Sequence, residues 1–82
     1  MKHKLQTQTI YEYTAIFERN ELGGYTVTVP SLPGLVTEGS DLENAKAMAE
    51  DAIRCYIEGA RKAKEKIPLE HELAQVRVSV TL

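Results

Sequence analysis

Apolar and polar positions alternate in three stretches of this chain and recur at helical spacing in a fourth. In residues 10–19, Tyr11, Tyr13, Ala15 and Phe17 share one parity within a run rich in β-branched and aromatic residues, which predicts a first strand. Asn20 to Gly24 supplies the glycines a hairpin return needs. Tyr25, Val27 and Val29 then point one way and Thr26 and Thr28 the other, giving a half-buried second strand over Tyr25 to Val29. Pro30-Ser-Leu-Pro33-Gly34 stops that strand, because proline withholds a ladder donor and glycine permits a tight left-handed turn. Leu35 to Glu38 is expected as a short third strand.

Ser40-Asp-Leu-Glu43 has the spacing of a capping box, and from there to about Ala63 the residues Leu42, Ala45, Ala49, Ala52, Ile53, Tyr56 and Ala60 form one helical stripe. Most are small, so the helix can lie close on a sheet. Its outer side carries charges, with Glu50–Arg54 and Glu58–Lys62 in the favourable order for ion pairs four residues apart. Ile67-Pro68 ends the helical region and Glu70-His71-Glu72 is a connector. The final run alternates Val76, Val78, Val80 and Leu82 with Arg77, Ser79 and Thr81, predicting a last half-buried strand.

The predicted order is β-β-β-α-β, an α+β fold of two layers with an antiparallel-rich sheet and one helix on one face. One domain covers residues 1–82, with 1–8 a flexible or partly ordered N-terminus. The uncovered face should carry Thr26, Thr28, Ser79, Thr81 and one side of the first strand. Ile10 and Ile16 lie on the parity opposite Tyr11 and Phe17, which hints at an additional contact there.

Size and charge narrow the chemistry. A chain of 82 residues has little room for an enclosed substrate pocket. A formal charge of −2 gives no overall positive field to attract a phosphate backbone, and the Lys2-His3-Lys4 start is only a local exception. No apolar run approaches the roughly 20 residues of a membrane span and no signal segment follows Met1, so a cytoplasmic location is expected. Cys55 is the only cysteine and has no neighbouring base in sequence, which favours an inert thiol. Glu70-His71-Glu72 lacks a second histidine nearby, and the glycines do not form a phosphate loop with its lysine. No cofactor and no metal are expected.

The Pro30–Gly34 corner is either a simple chain reversal or a contact surface. A rigid, partly apolar turn loses little freedom on binding, so Pro30, Leu32, Pro33 and Gly34, with Tyr25 at the strand start, are the candidate partner-binding residues. Core packing is an equally natural role for Tyr25.

Taken together, Tyr25-Thr-Val-Thr-Val-Pro30, Leu32-Pro33-Gly34, Thr37-Glu38-Gly39 and Leu42-Glu43-Asn44-Ala45 closely resemble the HicB-like antitoxin family, as do Tyr56-Ile57-Glu58-Gly59 and the Ile67-Pro68 exit. The likeness covers roughly residues 11 to 82. It implies a partial ribonuclease H-like β-β-β-α-β fold that binds a small, basic, messenger-RNA-cleaving toxin of the HicA type and obstructs its active site. It also implies a homodimer or higher homo-oligomer. Many relatives continue into a DNA-binding domain, whereas this sequence stops at Leu82, which leaves direct DNA binding and autoregulation in doubt. Ser31 stands where relatives often carry an acidic residue, so a contact made by that carboxylate is absent.

Two other readings remain open on the residues. A ribonuclease H-like nuclease needs carboxylates converging on divalent metal ions, and Glu12, Glu18, Glu38 and Asp41 are the candidates, without a spacing that defines a ligand set. A self-associating structural domain with no toxin partner is the third possibility. The leading expectation is a non-enzymatic protein-binding module.

Overall fold

The structure, a computed structural model, describes residues 9–82. The expectation of a flexible or partly ordered segment at 1–8 lies outside the described residues. Strand β1 spans Ile16–Arg19, β2 Tyr25–Thr28 and β3 Val36–Gly39, and helix α1 runs from Leu42 to Lys62. The sheet is antiparallel in the order β1-β2-β3, with Phe17 opposite Val27 and Val27 opposite Thr37. The described residues are α+β, three strands followed by one helix.

The alternation fixes which way the sheet faces. Val27 is fully buried and packs with Ala45 and Ala49 of α1, and Ala15, Phe17 and Tyr25 close around them. A second cluster of Val29, Leu32 and Leu35 is covered by Tyr13, Ala15, Ala52, Ile53 and Tyr56. Tyr13, Ala15, Phe17, Tyr25, Val27 and Val29 therefore form the helix-facing side, as the sequence pattern requires. Gly39 is the point of closest approach, where a β-carbon would run into the backbone of Ala45. A glycine opposite an alanine lets α1 settle on β3 and then β2, leaving β1 the least covered strand.

Several expected boundaries shift. The first strand shortens from 10–19 to Ile16–Arg19, because its would-be partner β2 runs only from Tyr25 to Thr28 before the Pro30 corner. Residues 10–15 continue without a ladder. The helix cap also moves by one residue. Asp41, not Ser40, accepts the Asn44 amide at 2.7 Å, and the Asn44 side chain reaches back to accept the Ser40 amide at 2.9 Å. The reciprocal logic of a capping box holds, with Asp41 and Asn44 in place of Ser40 and Glu43. Ile57, outside the expected stripe, is buried, while Leu42 within it is exposed. The expected Glu50–Arg54 pair gives way to Arg54–Asp51 at 3.7 Å, between exposed side chains.

The largest correction concerns the last strand. Residues 64–82 form neither helix nor strand, and 71–82 are exposed throughout. Val76, Val78 and Val80 are 73%, 77% and 77% exposed. Alternation specifies a face but not a ladder partner, and beyond Glu70 this segment leaves the sheet of its own chain.

Candidate partner-binding surface

The corner after β2 is built from two successive tight turns. The Leu32 amide donates to the Val29 carbonyl at 2.9 Å and the Leu35 amide to the Leu32 carbonyl at 3.1 Å. Gly34 takes φ of +84°, the left-handed region that side chains resist, so glycine is required at this point. Leu32 points inward and is fully buried, whereas Pro30, Pro33 and Gly34 are exposed. The candidate residues thus divide into an anchor and an outward ridge held by it. Tyr25 lies apart from that ridge. It is half-buried against the Val27 cluster, and the Arg19 guanidinium sits 5.6 Å from its ring centre.

Two long-range ties brace the corner. The Tyr56 hydroxyl of α1 reaches the Pro33 carbonyl at 3.5 Å. Glu70 accepts from the Thr14 amide at 2.6 Å, the Thr14 hydroxyl at 2.7 Å and the Ser31 hydroxyl at 3.2 Å. Close by, the Tyr13 hydroxyl donates to the Pro68 carbonyl at 2.6 Å. The bond from the Thr14 amide, followed by that from its hydroxyl, holds the Glu70 carboxyl below the usual carboxylate range. Burial, then the neighbouring Tyr11, Glu70 and Tyr56, pushes the Tyr13 phenol up. A carboxylate does stand against the corner, delivered by residue 70 and bonded to Ser31.

Sequence reasoning missed Glu70, Thr14 and Tyr56 as parts of this surface. Glu70 lies 56 residues from Thr14, and no local periodicity reports a contact at that separation. The one available signal was a carboxylate in a connector just past Ile67-Pro68. Of the carboxylates considered for metal binding, Glu12, Glu18 and Glu38 are exposed and Asp41 caps α1. Among the described residues no three His, Cys, Asp or Glu side chains gather into a metal-ligating group. Cys55 is exposed on the outer side of α1. No helix among the described residues is long and apolar enough to cross a membrane.

Residues 13–80, nearly the whole of the described fold, match the family described as the HicB-like antitoxin of bacterial toxin-antitoxin systems. The chain belongs to this HicB-like antitoxin family. Among curated relatives, a UPF0150 protein of Thermoplasma acidophilum is 46% identical over 57 residues, covering 70% of this chain and 83% of the relative. The protein named Antitoxin HicB 1 of Photorhabdus laumondii is 39% identical over 70 residues, covering 85% of this chain. This HicB-like chain spans 45% of that antitoxin's length. A UPF0150 protein of Synechocystis is 34% identical over 61 residues, covering 74% of this chain and 77% of the relative. No solved structure matches the chain.

Proposed function

We propose that this chain is a non-enzymatic antitoxin module that binds a small, basic, RNA-cleaving toxin of the HicA type and blocks its active site. The observation that carries the reading is the family match over residues 13–80, which implies a toxin partner. The surface supports it. Pro30, Pro33 and Gly34 form an exposed ridge whose backbone is fixed from beneath by Leu32 and from the sides by Tyr56 and Glu70. Such a ridge surrenders little conformational freedom when it docks, so contact energy is retained as affinity. A net charge of −2 suits a basic partner and gives no general attraction for RNA. Within this reading the protein works in the cytoplasm and acts on the toxin, not on nucleic acid.

The experiment is an RNA-cleavage assay with a small basic RNA-cleaving toxin of the HicA type. Added in equimolar amount, the chain is expected to abolish cleavage. Uninhibited cleavage in the presence of the folded chain contradicts the proposal. Pro33→Arg is expected to weaken inhibition without unfolding the protein, since the side chain is exposed and a cation on the ridge repels a basic partner.

A further inference from the structure

At the opposite end of β2 from the corner, between the β1–β2 turn and the start of α1, lies a cleft of about 410 Å³ whose walls include Asn20, Leu22, Glu38, Ser40 and Asn44. Gly24 and Gly39 also line it, and a β-carbon on Gly24 would run into the Gly39 carbonyl oxygen. Both walls are braced. On one side the Asn20 side chain accepts from the Leu22 amide at 3.1 Å and the Gly24 amide at 3.0 Å, and Gly23 closes the turn with φ of +88°. On the other, the Asn44 side-chain oxygen accepts from the Ser40 amide at 2.9 Å and the Ser40 hydroxyl at 3.3 Å.

The cleft offers an apolar lip and a negative charge. Leu22 is 90% exposed on its locked turn. Glu38 lies opposite Thr26, on the sheet face away from α1, and is exposed. It makes no ion pair among the described residues, and no lysine or arginine lines the cleft. The start of a helix ordinarily favours an anion, but Asp41 and Glu43 already stand there and Asp41 takes the Asn44 amide. A phosphate or carboxylate in the cleft would therefore meet carboxylates rather than cations. An apolar lip beside a carboxylate suits a side chain that is apolar along its stem and positive at its tip.

We infer that this cleft receives an arginine or lysine side chain of a basic protein partner, its methylenes against Leu22 and its charged head on the Glu38 carboxylate. An exposed ion pair alone adds little to affinity; here the stem is packed as well, and the walls are set before binding. The identity of the partner rests on the toxin reading, to which the cleft adds a second point of contact. Residues 24–30, which are β2 and its two ends, extend about 20 Å at most, so one small domain can touch both the cleft and the corner ridge.

Calorimetric titration of a small basic HicA-type toxin into the full chain and its variants tests the inference. Glu38→Gln and Leu22→Ser are each expected to weaken binding about tenfold or more, with circular dichroism unchanged because both side chains are exposed. Glu58→Gln, which removes the same charge from an exposed position on α1, should leave the affinity as it is. Binding by Glu38→Gln or by Leu22→Ser as tight as that of the natural chain overturns the cleft as the contact. So does equal weakening by Glu38→Gln and Glu58→Gln, which reports net charge and not a site. A natural chain that does not bind the toxin at all instead rejects the toxin reading, and the inference falls with it.

Discussion

Leu32 and Pro33 are adjacent, yet substitution should separate them sharply. Leu32→Ala empties a fully buried site and is expected to cost about 2–5 kcal/mol in a urea melt. Pro33→Arg alters only the exposed ridge, with an expected stability change within about 0.5 kcal/mol. A loss of toxin binding in Pro33→Arg therefore reports contact, whereas the same loss in Leu32→Ala reports unfolding. Glu70 adds a pH dependence. Its folded pKa is depressed, so its contribution is fully present above the ordinary carboxylate pKa and is lost as pH falls through the folded value. The stability difference between the natural chain and Glu70→Gln should shrink as melts are taken from neutral to acid pH. A difference that grows toward acid would refute the clasp.

At the scale of elements, the start of α1 discriminates between neighbouring candidates. Asp41→Ala removes the acceptor for the Asn44 amide and is expected to cost about 1 kcal/mol. Glu43→Ala should cost only a few tenths, because Glu43 makes no capping bond. Chemical denaturation of both variants checks the assignment. Much of this level was legible in the sequence: Val27 and Val29 face the helix, Thr26 and Thr28 do not, and Ala45 and Ala49 lie at the sheet. The cap slipped by one because Ser40 and Asp41 both have capping side chains, and Gly39 must remain in β3 against Ala45. Local pattern cannot choose between such neighbours. The ridge was equally visible in its prolines and Gly34, but the inward turn of Leu32 follows from the two successive turns and not from composition.

For the molecule as a whole, the sequence displays an alternating valine row, but alternation alone does not say whether it joins a ladder. That is a question of where the connector is pinned, and the pin is Glu70, invisible until Thr14 and Ser31 are brought beside it. The same placement leaves the corner ridge exposed, and the outer edge of β1 has no ladder partner among the described residues. The central claim is that this HicB-like chain binds a small basic toxin. Titrating a purified small basic toxin of the HicA type into the folded chain by isothermal calorimetry tests that claim most directly. Saturable binding that is weakened by Pro33→Arg is the predicted result, and no binding between the two folded proteins would contradict it.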